Sequence, residues 1–178
     1  MNRPRHFNLL ARLLHWAMAA AILAMLFIGA GMVVSLQYRA QLLDLHRPLG
    51  IAILLLAIVR LVNRLSRPTP ALPADLPAIQ KFAAHASHWL LYGLMLAMPL
   101  IGWAMLSAGG YPIPMVGVIH LPAIVPHSPE VYGILRPLHG ILAYVLFATI
   151  LGHLGAALFH AWIRRDEVFG QMASGDDA

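Results

Sequence analysis

The chain has 178 residues, a length suited to one domain, of which 60% are hydrophobic and 11% charged, with a mean hydropathy of +0.74. That composition excludes a disordered chain and an ordinary soluble domain, and the absence of cysteine excludes disulfides, zinc–thiolate sites and iron–sulfur clusters. The net charge of +5 is no nucleic-acid footprint, because the basic residues are spread between apolar runs instead of gathered on one face.

Formal charges cut the chain into long neutral stretches. The 26 residues between Arg12 and Arg39, the 48 between Lys81 and Glu130, and the 27 between Arg136 and Arg164 carry none. A membrane span needs about 20 predominantly apolar residues. Four spanning helices are therefore predicted, at 9–34, 44–64, 82–107 and 137–163, forming one all-α domain over 1–178. The first follows basic residues, as a signal peptide would, but its apolar run exceeds the ~7–15 residues of such a segment, so it is expected to be retained. The second has a short apolar core, 49–59, and spans fully if Arg60 and Arg64 extend toward the headgroups; a re-entrant segment is the competing reading. Pro68, Pro70, Pro73 and Pro77 then make an extended connector. The third connection, 107–137, is rich in Gly and Pro and long enough to be functional, and its apolar stretch 115–125 is expected on the outer membrane surface. Nine basic residues (Arg3, Arg5, Arg12, Arg60, Arg64, Arg67, Lys81, Arg164 and Arg165) fall on one side and three (Arg39, Arg47 and Arg136) on the other. By the positive-inside rule both termini face the cytoplasm.

The anomaly is ten histidines in so apolar a chain. His6, His120 and His127 lie in tails or loops and read as solvated surface. His15, His46, His85, His88, His139, His153 and His160 belong to the membrane helices, where an ionisable residue is by default a functional candidate. His139 and His153 are 14 residues apart, about 21 Å along a helix, and fourteen steps of roughly 100° return to nearly the same face. Helix 1 enters from the inside with His15 about two turns in, and helix 2 enters from the outside with His46 in its first turn. His15 is therefore expected opposite His153 near the inner side, and His46 opposite His139 near the outer side. Two neutral imidazoles facing each other across a bundle are what a six-coordinate haem iron requires, and the lack of C-x-x-C-H makes any such haem non-covalent.

Neighbouring residues agree with that reading. Gly29, 14 residues after His15, is expected level with the outer pair; Gly50 follows His46 by one turn, and Gly140 and Gly152 adjoin the other two histidines. Arg47 and Arg136 stand beside prolines at the start of their spans and could neutralise haem propionates; Arg60, 14 residues after His46, approaches the inner pair. The competing readings are histidines that merely hydrogen-bond between helices, glycines such as Gly31 and Gly93 that serve close packing, and a copper or di-iron site. A di-iron bundle needs several inward carboxylates, and no span core contains one.

The joint pattern resembles the bacterial cytochrome b561 family over about 7–172. The residues that carry the resemblance are Leu14-His15-Trp16, His46 with the apolar run to Arg60 and Arg64, Arg67-Pro68-Thr69-Pro70, His85-Ala86-Ser87-His88 with Tyr92, Pro99-Leu100-Ile101-Gly102, His139 with His153, and Ala157-Leu158-Phe159-His160 followed by Arg165-Asp166. The resemblance implies a four-helix cytochrome of the bacterial inner membrane with two b haems ligated by His15, His46, His139 and His153, exchanging electrons with quinone. Family members often carry His-His near the end of helix 4; here the pair is His160-Ala161. His88, at the depth of His15, and His160, seven residues after His153, are the candidates for the ubiquinone side, since a quinone being reduced takes up protons and histidine shuttles them near neutral pH. Cross-helix hydrogen bonding is the alternative role for both.

Three functions follow as expectations. One is a superoxide oxidase, in which superoxide approaches the outer haem along a basic rim of Arg39, Arg47 and Arg136, weakened by Asp44 and Glu130, and ubiquinone takes the electrons. The second is a relay cytochrome between the quinone pool and a partner dehydrogenase, hydrogenase or periplasmic carrier. The third is a haem-free membrane protein.

Overall fold

The structure, a computed structural model, describes residues 4–115 and 119–174. Four long helices follow one another: α1 (Leu9–Val34), α2 (Arg39–Ser66), α3 (Ala78–Ala108) and α4 (Pro129–Leu158). Helix α4 runs on into a π-helical segment, Phe159–Arg164, and a short α5 (Gly170–Ala173) closes the described chain. All four long helices are long and apolar enough to cross a membrane. Most of their large apolar side chains point outward, Phe27, Tyr144 and Trp162 among them, as expected where lipid replaces water as solvent.

Helices α1 and α4 begin where a side chain satisfies a free amide of the first turn. Asn8 caps α1, its Oδ1 accepting from the Ala11 N–H at 2.8 Å. The turn to α2 takes only four residues, so the two helices are antiparallel neighbours. Helix α4 opens on Ser128-Pro129-Glu130. The Ser128 hydroxyl accepts from the Val131 N–H at 3.3 Å, Pro129 needs no amide partner, and Glu130 sits where the helix dipole favours an anion.

Three helix starts differ from expectation. Helix α2 begins five residues before 44, α3 four before 82, and α4 eight before 137. These added turns contain Arg39, Glu130 and Arg136, which a search for neutral runs passes over although charged turns project well beyond the hydrocarbon. Pro48 and Pro137 are consequently interior to their helices and not at their first turns. Together with Pro99 in α3, they leave the carbonyls of Asp44, Gly133 and Met95 without their usual i+4 donors. The connection 109–128 is correspondingly shorter and folds back onto the end of α3. Trp103 Nε1 donates to the Pro122 carbonyl at 2.9 Å, and the Ser107 hydroxyl accepts from the Ile124 N–H at 3.2 Å. Gly110 turns the chain with φ +69, a conformation that favours glycine. Residues 116–118 of the apolar stretch lie outside the described chain. The proline connector 67–77 is non-helical, as expected.

Packing runs α1 on α2, α2 on α3, and α3 on α4. The core is one layer at mid-height to which every long helix contributes: Met18 and Ile22, Ile53 and Ala57, Leu94 and Met95, and Leu146. Leu146 lies midway between His139 and His153, so this apolar layer separates the two histidine levels.

Candidate functional site

The structure brings His15 to His153 and His46 to His139. Ring centres are 6.2 Å apart in both pairs, with interplanar angles of 68° and 67°. The distance discriminates between chemistries. A direct N–H···N bond of about 2.9 Å, with each nitrogen about 1.1 Å from its ring centre, would bring the centres to about 5.1 Å. A metal between the rings, at roughly 2.0–2.1 Å from each nitrogen, sets them about 6.2–6.4 Å apart. The 6.2 Å separation is wider than a direct hydrogen bond sets and equals the spacing of two imidazoles on one metal ion, so the residues fit such a group. Among the described residues no group of three or more His, Asp or Glu side chains converges on a metal-sized point, so the donor set consists of paired imidazoles and not a carboxylate-rich cluster.

The His46–His139 level is lined by small residues and buried nitrogen. A Cβ on Gly29 would touch His46 Cε1 at 3.9 Å, and one on Gly102 would press His139 Cε1 at 3.3 Å. The sequence placed Gly29 here by the same 14-residue interval that relates the histidines. It did not reveal Gly102, whose proximity to His139 depends on how α3 packs against α4. Gly140 and Gly152 have open space where a Cβ would point, so close helix packing does not explain them. Gly31 does pack closely, against Leu42 at 3.0 Å, whereas Gly93 does not. The Nδ1 atoms of His46 and His139, and Nε of Arg47, are buried without a hydrogen-bond partner. Arg47 also pairs loosely with Asp44 at 3.6 Å. Arg136 is exposed and forms no ion pair with a described residue.

The His15–His153 level is richer in polar contacts. An Arg60 Nη lies 2.9 Å from His15 Nδ1, and Arg60 Nε donates to the Tyr92 hydroxyl at 3.3 Å. The guanidinium also stands 5.8 Å from the centre of the Tyr92 ring, within cation–π range. Trp16 meets His15 edge-on at 5.2 Å and donates from Nε1 to the Met172 carbonyl at 3.3 Å, tying the C-terminal segment to α1. His88 packs against His153 with ring centres 5.4 Å apart, in agreement with its expected depth. His160 has a different partner. Its Nδ1 is 2.7 Å from Asp166 Oδ2, an interaction that helical spacing could not anticipate because it depends on the chain reversing after Arg164. His85 is exposed on the outside of α3.

A profile of the prokaryotic cytochrome b561 family matches residues 6–175. The chain belongs to the prokaryotic cytochrome b561 family. A family member from Escherichia coli K12, cytochrome b561 homolog 2, is 27% identical over 175 residues, covering 96% of this chain and 93% of its own length. The probable superoxide oxidase CybB of Yersinia pestis is 32% identical over 140 residues, 76% of each chain. Cytochrome b561 homolog 1 of E. coli K12 is 31% identical over 129 residues, 72% of this chain and 73% of its own. As a cytochrome b561 the protein is a membrane haem protein of the b type, and electron transfer is its chemistry.

Proposed function

We propose that the protein is a di-haem superoxide oxidase of the bacterial inner membrane, with both termini in the cytoplasm, passing electrons from periplasmic superoxide to ubiquinone. The observation that carries this reading is the pair of 6.2 Å imidazole facings at two levels, separated by the 14-residue interval of α4, about 21 Å along its axis. His46 and His139 would hold the outer haem, His15 and His153 the inner. Bound there, the haems supply two one-electron carriers, so that a one-electron donor and a two-electron acceptor can occupy separate sites.

The protein's own residues set the direction. Arg39 and Arg136, both exposed and without an ion pair among the described residues, carry most of the positive outer rim that attracts the superoxide anion; Arg47 is partly neutralised by Asp44. At the inner level Arg60 only donates, so His15 Nδ1 accepts in the present arrangement and the ring proton sits on Nε2. Held through Nε2, His15 would carry its ring proton on Nδ1, and the Arg60 guanidinium would be available to a propionate. His88, against His153, and His160, nearer the cytoplasm, are the groups for the quinone end.

The test is direct. A pyridine haemochrome assay on the purified protein is expected to return two non-covalent b haems per chain, and stopped-flow mixing with superoxide should reduce them, followed by reoxidation with ubiquinone. One haem or none would overturn the paired-ligand reading. A fully loaded protein that superoxide cannot reduce would instead be a relay cytochrome.

A further inference from the structure

At the cytoplasmic end of α4 the π-helical segment Phe159–Arg164 is followed by Arg165 in the left-handed region, φ 55. That turn carries Asp166 back against the helix it has just left. Its Oδ2 accepts from His160 Nδ1 at 2.7 Å and from Arg164 Nε at 2.9 Å, while Oδ1 accepts from the Val168 N–H at 3.2 Å. Arg164 reaches on to Asp75 in the 67–77 connection at 2.7 Å. Partial burial pulls the Asp166 carboxyl upward, but the hydrogen bonds from His160, Arg164 and Val168 outweigh it and hold the group below the usual carboxylate range. An ionised carboxylate only accepts hydrogen bonds. His160 therefore carries a proton on Nδ1, and its Nε2 is the nitrogen available for proton transfer. Both side chains are largely enclosed, 12% and 18% accessible. A histidine with one nitrogen fixed by a carboxylate and the other left free has the arrangement of a directed proton donor.

We propose that Asp166 is a positioning residue that holds His160 as the group handing cytoplasmic protons to the quinone. This rests on the quinone reading above. Two superoxide anions give up one electron each and leave as two molecules of oxygen; the quinone gains those two electrons and two protons and leaves as quinol. In each transfer a His160 imidazolium gives its Nε2 proton to a quinone oxygen, keeps Nδ1–H on Asp166, and takes a replacement proton from cytoplasmic water at Nε2. Asp166 stays ionised throughout. Among the described residues the other charged groups joined to the pair are Arg164 on the same segment and, through it, Asp75 from the connection; neighbouring Arg165 donates from Nε to the Trp162 carbonyl instead. The Phe159 ring, 5.9 Å from that of His160, is the apolar neighbour.

The experiment uses the haem-loaded full chain, reduced with a limiting amount of dithionite and mixed with a short-chain ubiquinone across roughly pH 5–8. Asp166→Asn should slow reoxidation about ten-fold or more and change its dependence on pH. Asp166→Glu should recover most of the rate. Asp166→Asn added to His160→Gln should slow reoxidation no further than His160→Gln alone. Haem content and reduced spectrum should match the parent protein in every variant. Reoxidation of Asp166→Asn at the parent rate and pH profile overturns the proposal. So does a loss of haem in both Asp166→Asn and Asp166→Glu, which would make the carboxylate a structural strut. If the parent protein itself is not reoxidised by ubiquinone, the quinone reading fails first and this one with it.

Discussion

Fourteen residues separate His139 from His153, and the same interval separates His15 from Gly29 and His46 from Arg60. That repeat of nearly four helical turns made both levels legible in the chain, and each of its three applications agrees with a contact in the structure. Contacts that depend on how helices lean together, such as Gly102 against His139, or on a chain reversal, such as Asp166 against His160, have no periodic signature. The proposed pairing gives a spectral prediction. His15→Ala and His153→Ala should disturb one haem component, and His46→Ala and His139→Ala the other; low-temperature absorption spectra of the four variants check this, and loss of the same component in His15→Ala and His46→Ala would break the depth argument. Asp166 gives a pH prediction. Its carboxyl is held below its ordinary 3.8, so its bonds contribute fully above that value and are lost as pH falls through the folded one. Amide exchange in the C-terminal segment should stay slow from neutral pH down to about 4–5 and rise only in stronger acid. Loosening that begins near roughly pH 6–7 would identify a histidine as the responsible group.

Helices α2 and α4 outrun the apolar stretches that predict them, because the membrane fixes where charge is expensive and not where a helix must begin. The start of α4 was nonetheless written in the chain, as Ser128-Pro129-Glu130. Charge spacing marks the spans, while capping residues mark the true helix ends. Between the ends, small residues set how closely neighbours approach. Ala57 on α2 is fully enclosed between helices, where a larger side chain has no room. Ala57→Leu is expected to cost about 1–3 kcal/mol through overpacking, lowering the temperature at which haem is released. Thermal melts followed at the haem absorption band measure it, and an unchanged midpoint would mean that the layer is softer than its packing indicates.

Over the whole molecule the basic residues divide nine to three between the two ends, and the sparse end is the one where a small anion is proposed to arrive. Arg136→Glu, compared with the parent at equal haem occupancy, should slow reduction by superoxide and flatten its dependence on ionic strength. Unchanged kinetics in a fully loaded variant would count against entry at this rim. Between the rim and the cytoplasmic network lies the layer of Met18, Ile22, Ile53, Ala57, Leu94, Met95 and Leu146, which presents no side-chain donor or acceptor to carry a proton from one histidine level to the other. An electron can tunnel through such a layer, whereas these seven side chains offer a proton no relay. On the proposed assignment negative charge therefore moves inward across the low-dielectric core, while the protons it meets come from the cytoplasm. That makes turnover electrogenic. An inside-negative voltage opposes the inward charge by up to about 2.3 kcal/mol per 100 mV, so in sealed vesicles turnover should quicken when an ionophore collapses the potential. Detoxifying superoxide in this way would leave the membrane more highly charged with every electron delivered.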